Sequence, residues 1–89
     1  MHKIAVLGGG ESGAGAAILA KVKGFDVFLS DFSTIDPEYR QMLDRYDIPF
    51  EEGRHTRERI LDADEIIKSP GIPDTAPIVA TAITMGIPI

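Results

Sequence analysis

The sequence predicts an α/β fold in which helices cover both faces of a mostly parallel β-sheet of about five strands. Short apolar runs alternate along the chain with segments of helical periodicity, and the connections between them are short. Strands joined in this way by crossover helices run parallel, with right-handed connections. The chain of 89 residues is therefore expected to form one small domain over residues 1–89.

The first half of the chain gives the clearest elements. A strand over residues 4–7 leads through consecutive glycines to a helix over 12–23, which Gly24 terminates. The second strand, 25–30, is apolar nearly throughout, which is typical of a strand covered on both faces.

A second helix begins at Asp36 and Pro37, which suit an N-cap and a first-turn position. Its side chains at helical spacing are assigned to the core: Tyr39, Met42, Leu43 and Tyr46. The remaining elements are predicted as a strand over 48–52, a helix over 56–61, a strand over 65–68, a helix over 76–85 and the start of a fifth strand at 87–89.

The last predicted helix is expected to bury Ile78, Val79, Ala82 and Ile83, with Gly86 ending it. Because a new strand begins where the sequence stops, we expect residues 1–89 to be part of a longer protein.

Three glycines with the spacing G-x-G-x-x-G follow the first strand directly. Gly8 suits the tight turn, Gly10 allows the backbone to approach a phosphate, and Gly13 lets helix and strand lie close together. The helix N-terminus adds unpaired N–H groups and the positive end of its dipole, so an anionic ligand is expected. Such turns also occur without a ligand, and the motif alone leaves both interpretations open.

Asp31 strengthens the nucleotide interpretation, because it lies 18 residues after Gly13 at the tip of the second strand. In open parallel sheets, ligands lie beyond the carboxyl ends of the strands. The glycine turn, Asp31 and the turn Ser69-Pro70-Gly71 all follow predicted strands, so they share one edge of the sheet. The arrangement is that of a Rossmann-like three-layer sandwich.

Composition excludes several classes of function. With 14 acidic and 9 basic residues the net charge is -5, which disfavours nucleic acid as a partner. The chain has no cysteine, hence neither disulfides nor thiolate metal sites. Only four apolar residues separate Lys3 from the glycines, so no secretory signal or membrane segment is predicted, and a cytoplasmic location is expected.

Several charged residues are interpreted as solvated rather than functional, and no metal site is predicted. They are His2 and His55, the acidic residues Asp62, Asp64 and Glu65, and the residues Arg54, Arg57 and Arg59 of a presumed helix face.

The chain resembles a known family over almost all of its length. The segments that carry the resemblance are Gly8 to Gly13, Ser30-Asp31, Ala63 to Ile72, and Pro73 and Pro77 with Gly86 to Ile89. They look like the N-terminal domain of the Mur ligases of peptidoglycan synthesis, and within that family like the members that add D-glutamate. The sequence Ser-Pro-Gly-Ile at 69–72 is the most specific part.

The resemblance implies that the domain holds the UDP part of UDP-N-acetylmuramoyl-L-alanine. It implies a site with Gly10, Glu11, Ser12 and Gly13 near the diphosphate, Asp31, Phe32 and Ser33 around the uracil, and Ser69, Pro70 and Gly71 as a further wall. Backbone N–H groups suit phosphate oxygens, and a carboxylate can accept the uracil ring N–H.

The resemblance further implies that the whole ligase uses ATP, with Mg²⁺, to activate the L-alanyl carboxylate as an acyl phosphate, which the amine of D-glutamate attacks. No glycine-lysine pair occurs in the chain, so the phosphate-binding loop for ATP is absent from it. We expect no catalytic residue and no cofactor in this domain, and ATP and Mg²⁺ to be bound by other domains.

Two departures from the family pattern concern the diphosphate. Glu11 places a carboxylate beside a phosphate site, so either it faces solvent or the diphosphate contact is weaker than the resemblance implies. Phe32, Ser33 and Thr34 follow Asp31 where some relatives have a basic residue, so a cation is expected from elsewhere in the full protein.

Two alternatives remain open from the sequence. In the nicotinamide-binding half of a dehydrogenase, Gly8, Gly10 and Gly13 would serve equally well, and Asp31 would bind the adenosine ribose. The turn at Ser69 speaks against it, since hydride transfer does not require such a turn. The other alternative is an interaction module that keeps the fold without the ligand.

Overall fold

The computed structural model describes residues 1–89 as one α/β unit whose elements alternate in the predicted order. The strands are β1 (Lys3–Leu7), β2 (Asp26–Asp31), β3 (Phe50–Glu52) and β4 (Glu65–Lys68). The helices are α1 (Glu11–Val22), α2 (Pro37–Arg45), α3 (Arg57–Leu61) and α4 (Pro77–Thr84). All strand pairs are parallel, in the order β3-β2-β1-β4.

Alternating side chains of the strands build a core on each face of the sheet. Ile4 and Val6 of β1 face α1 and α2, where Ala17, Ala20 and Leu43 complete one buried cluster. The neighbouring strand residues face the opposite way, toward α3 and α4, and form a second cluster with members such as Ala5, Leu7, Ile60, Val79 and Ala82. The three-layer prediction is confirmed.

The sheet has four strands, so the prediction of about five was wrong. Residues 87–89 lie along β4 through one hydrogen bond, from the Ile66 N–H to the Pro88 carbonyl oxygen at 2.8 Å. Pro88 has no N–H with which to continue a ladder. The chain end is therefore a contact at the sheet edge and not a strand.

Proline also shortens β3, which begins at Phe50 and not at Ile48. The Ile48 N–H donates to the Leu43 carbonyl at 2.9 Å, closing the end of α2, and Pro49 has no N–H to donate. The Pro49 carbonyl oxygen still accepts a hydrogen bond from the Leu29 N–H at 3.1 Å. The residue before β3 therefore already lies alongside β2.

Two residues assigned to the core lie at the surface. Tyr46 follows the last residue of α2 and is 40% exposed, and Ile83, near the end of α4, is 50% exposed. In α2 and α4, fewer residues are buried than the apolar sequence suggested. The buried residues are Leu43 in α2 and Ile78, Val79 and Ala82 in α4. Asp36 caps α2 as predicted, accepting from the Glu38 N–H at 3.1 Å.

Candidate functional site

A cleft of about 670 Å³ opens at the carboxyl ends of the strands. The chain runs outward from β1 to β2 and β3 and then returns to the other side of β1 with β4, so the strand order reverses beside β1. Ligands of open parallel sheets bind at this point of reversal. Six predicted site residues line the cleft: Gly10, Asp31, Phe32, Ser33, Ser69 and Gly71.

The other four predicted site residues, Glu11, Ser12, Gly13 and Pro70, do not line the cleft. Ser12 and Gly13 lie in the first turn of α1, below the cleft-lining glycines. The Glu11 side chain is exposed. Burial of Tyr39 on α2 raises the pKa of that side chain, and the negative charge of Glu11 raises it further.

The glycine turn has the geometry that its spacing predicts. Gly8 has a φ of +103°, a value that favours glycine, and a Cβ at Gly13 would lie 1.8 Å from the Gly8 carbonyl oxygen. Gly10 differs, because its φ of -77° is open to any residue and a Cβ there would have no neighbour within 4 Å. Gly10 thus borders open space in the cleft.

Gly10 is also the N-cap of α1 and provides no side-chain hydrogen bond to the helix. The first N–H groups of a helix have no partner within it. In α1, which begins next to the cleft-lining Gly10, they carry the partial positive charge of the helix dipole, which suits an anion.

The carboxylate of Asp31 holds two of the loops together. One oxygen accepts from the Gly9 N–H at 2.7 Å and the other from the Ser33 N–H at 2.8 Å. Asp31 therefore fixes the glycine turn against the loop after β2. Since each carboxylate oxygen has two lone pairs, each can still accept one further donor.

The turn after β4 contacts the glycine turn directly. The Ser69 N–H donates to the Leu7 carbonyl at 2.9 Å, and a Cβ at Gly8 would lie 3.0 Å from the Ser69 Cβ. Beyond the turn, Lys68 Nζ donates to the Ile72 carbonyl at 2.8 Å and pairs with Asp74 at 3.4 Å. The segment 69–74, which forms this wall of the cleft, is therefore held against the end of β4 by Lys68.

The interpretation of His55 as a solvated side chain was wrong. His55 is partly buried and lines the cleft, its Nδ1 is 2.7 Å from Ser30 Oγ, and its ring centroid is 5.5 Å from that of Phe32. Burial lowers the pKa of His55, although the charges of Glu51 and Asp31 oppose the shift. The imidazole is therefore neutral at pH 7.

The three arginines do not form one solvated helix face. Arg54 precedes α3 and pairs with Glu51 at 3.3 Å, and the guanidinium of Arg59 lies 3.7 Å from the centroid of the Phe28 ring. Arg57, the first residue of α3, lines the cleft and makes no ion pair. Arg57 is thus a cationic side chain within the cleft, and the expectation that a cation comes from elsewhere in the full protein stays a prediction.

His55 and Arg57 could have been found from their position. They lie in the segment from the end of β3 at Glu52 to the first residue of α3, and segments that follow parallel strands lie at the same edge of the sheet as the glycine turn. Their residue types were uninformative, since exposed histidines and arginines are common.

Elsewhere, no group of three or more His, Asp or Glu side chains is arranged to hold a metal ion. None of the helices has the length and apolar character needed to cross a membrane.

Comparison with known proteins gives consistent matches. The family model described as "MurD N-terminal domain" matches residues 3–77. A protein of Bacteroides fragilis named UDP-N-acetylmuramoylalanine--D-glutamate ligase is 60% identical over 89 residues, which is all of this chain and 20% of that protein. The ligase of the same name from Porphyromonas gingivalis is 60% identical over 88 residues, again with 20% of its length covered.

A solved structure shows the same fold. It is the UDP-N-acetylmuramate:L-alanyl-gamma-D-glutamyl-meso-diaminopimelate ligase from Neisseria meningitides, with a TM-score of 0.80 and 23% identity. The match covers 99% of this chain and 28% of that protein.

The relatives are ligases, and the dehydrogenase alternative is not supported. The chain spans about a fifth of the length of these curated relatives. From the family model and the relatives together, the chain belongs to the MurD N-terminal domain family.

Proposed function

We propose that residues 1–89 bind the UDP part of UDP-N-acetylmuramoyl-L-alanine as the N-terminal domain of a ligase that adds D-glutamate. The observation that carries this proposal is the convergence of three distant segments on one cleft. The glycine turn, the loop that starts at Asp31 and the turn at Ser69 meet beside β1. The names of the relatives supply the identity of the substrate.

The diphosphate is assigned to the glycine turn, at the N-terminus of α1. Gly10 leaves room for it, the free N–H groups of residues 11–13 provide donors, and Arg57, which makes no ion pair, supplies a cation. Glu11 does not line the cleft, which lessens the repulsion expected from its charge.

The uracil is assigned to the loop after β2. Phe32 is 72% exposed at the rim, where an aromatic ring provides an apolar face for a base. The remaining lone pairs of Asp31 can accept the ring N–H, and Ser33 adds polar groups beside it. Ser69 and Gly71 line the opposite wall, with Pro70 between them in the same turn.

The chemical step is assigned to parts of the protein outside residues 1–89. ATP, Mg²⁺ and D-glutamate would be bound there, since the chain has no phosphate-binding loop for ATP. The role of this domain is then to hold one end of the precursor while its L-alanyl carboxylate is activated at a distance.

An NMR titration of the chain tests the binding proposal. UDP should shift the amide signals of Gly10, Ser12, Gly13, Ser33 and Gly71, with a dissociation constant near about 1 mM, because one domain provides only part of the contacts. NAD should bind at least about tenfold more weakly.

The amide of Gly86, which follows α4 at the far edge of the sheet, is an internal control and should not move. Tighter binding of NAD than of UDP, or UDP-induced shifts spread evenly over the chain, would refute the proposed function.

A further inference from the structure

His55 is held in the cleft by the one polar side chain in the core. Ser30 lies at the end of β2 with none of its surface exposed. Its Oγ is 2.7 Å from His55 Nδ1, 2.8 Å from a carboxylate oxygen of Glu51 and 3.1 Å from the Arg54 carbonyl oxygen. The Glu51 side chain is itself only 8% exposed.

The number of hydrogens at this junction determines the tautomer of His55. A serine hydroxyl has one hydrogen to donate, and the Glu51 carboxylate and the Arg54 carbonyl can only accept. If Nδ1 were also an acceptor, three acceptors would face a single hydrogen. The hydrogen between Oγ and Nδ1 must therefore belong to His55, and Nδ1–H donates to Ser30 Oγ.

The other ring nitrogen then becomes the functional one. In a neutral imidazole with a proton on Nδ1, Nε2 is an acceptor. Nε2 has no hydrogen-bond partner in the chain, and no buried side-chain nitrogen or oxygen lacks a partner, so Nε2 is accessible. His55 lines the cleft, so the cleft is open space next to its imidazole.

We propose that His55 is a specificity-determining residue whose Nε2 accepts a hydrogen bond from the nucleoside bound in the cleft. This inference rests on the proposed function and deepens it. The donor is a ribose hydroxyl, or the imide N–H of the uracil, in which case His55 takes the place of Asp31 as its acceptor. Phe32 lies beside the imidazole, so the base or its ribose would meet both rings together.

Nitrogen-15 NMR of the imidazole side chains in the 89-residue chain tests the first step. At pH 7 we expect His55 to show a protonated Nδ1 and an unprotonated Nε2. Addition of UDP should move the Nε2 resonance in the direction of hydrogen bonding and leave Nδ1 nearly unchanged. A proton on Nε2 in the free protein would overturn the inference.

Analogues of UDP identify the donor. We expect His55→Phe, which keeps an aromatic ring without an acceptor, to bind UDP about five- to tenfold more weakly than the wild type. The wild type should lose a similar factor with 3-methyl-UDP if the donor is the imide, or with 2′-deoxy- or 3′-deoxy-UDP if it is a hydroxyl. The analogue that binds the wild type more weakly than UDP does should bind His55→Phe as tightly as UDP does, because that variant has no acceptor to lose.

His2→Phe is the matched control. His2 precedes β1 at the opposite edge of the sheet, where its Nε2 bonds Glu65 at 3.0 Å, so the same substitution should leave UDP affinity unchanged. Circular dichroism before each titration establishes that the variant is folded.

The outcomes separate this inference from the proposed function. If UDP binds the wild type at the cleft but His55→Phe binds it equally well, the role of His55 is refuted and the proposed function stands. The role of His55 is also refuted if each analogue loses the same factor of affinity, relative to UDP, in the wild type and in His55→Phe. If UDP does not bind the wild type, both proposals fall.

Discussion

Two glycines of α1, only two positions apart, should respond in opposite ways to one added methyl group. A Cβ at Gly13 would lie 1.8 Å from the Gly8 carbonyl oxygen, whereas a Cβ at Gly15 would have no neighbour within 4 Å. We expect Gly13→Ala to lower the free energy of unfolding by about 3 kcal/mol or more, because backbone must move. Gly15→Ala should raise it by about 0.5–1 kcal/mol, because alanine favours the helix.

Urea denaturation followed by circular dichroism measures both changes. A Gly13→Ala variant as stable as the wild type would show that α1 and the glycine turn are not in close contact. This prediction concerns stability alone and is independent of any ligand.

Single residues also mark the limit of sequence reasoning. The positions of Gly8 and Gly13 follow from a motif with a mechanical explanation, and the structure has the expected geometry at both. Asp31 was predicted as a ligand contact, yet its two oxygens bind N–H groups of Gly9 and Ser33. The Gly9 contact spans 22 positions of sequence, so no local pattern could have indicated it.

At the scale of elements, the corner between β3 and α3 depends on one carboxylate. Glu51 accepts hydrogen bonds from the Thr56 N–H at 2.7 Å, from the Thr56 hydroxyl and from Ser30, and pairs with Arg54. Burial alone would raise the pKa of Glu51, but these hydrogen bonds and the arginine outweigh it, and the pKa is lowered. The folded state therefore favours the ionised form.

The stability of the chain should fall in acid for this reason. An unfolded glutamate takes up its proton near pH 4.5 and the folded Glu51 only at lower pH, so the contribution is present above about pH 4.5 and lost below it. Glu52 acts in the same direction, because the Ile35 N–H and Arg40 lower its pKa. His55 adds a loss that begins nearer pH 6.5, since burial lowers its pKa.

Glu51→Gln should flatten the pH dependence below about pH 4.5 and cost about 1–3 kcal/mol at neutral pH, because the amide cannot satisfy the same donors. Glu58→Gln, an exposed change on α3, is the matched control and should behave as the wild type. Urea titrations at several pH values measure the slope. Retention of the full acid-dependent loss by Glu51→Gln would exclude Glu51 as its source.

The elements themselves were largely predictable. Apolar runs and capping residues placed each helix and the first four strands in order, with most ends within one or two residues, as for α2 after Asp36. The errors lie where proline removes a hydrogen-bond donor, at Pro49 and Pro88. Whether a short segment pairs depends on its neighbour in space, which the local sequence does not contain.

For the whole molecule, the alternation of strands and helices was enough to predict that distant turns share one edge. It could not predict the strand order, although the position of His55 and Arg57 after β3 placed them at the same edge as the glycine turn. The family resemblance assigned roles to the motif residues only. The structure adds Arg57 and His55, which line the cleft and belong to none of the motifs.

The last prediction tests the glycine turn as the phosphate site. Gly10→Val should leave the fold intact, changing the free energy of unfolding by less than about 1 kcal/mol, because φ is -77° and no atom lies within 4 Å of the added Cβ. The valine side chain would occupy the space assigned to the diphosphate, so the dissociation constant for UDP should rise at least about tenfold.

Gly15→Val places the same side chain on the exposed surface of α1 and should bind UDP as the wild type does. Affinity is measured by NMR titration and folding by urea denaturation of both variants. If folded Gly10→Val kept wild-type affinity, the diphosphate would lie elsewhere in the cleft. The convergence of the three turns would then have to be explained by packing, since Asp31 and Ser69 already hold the glycine turn in place without a ligand.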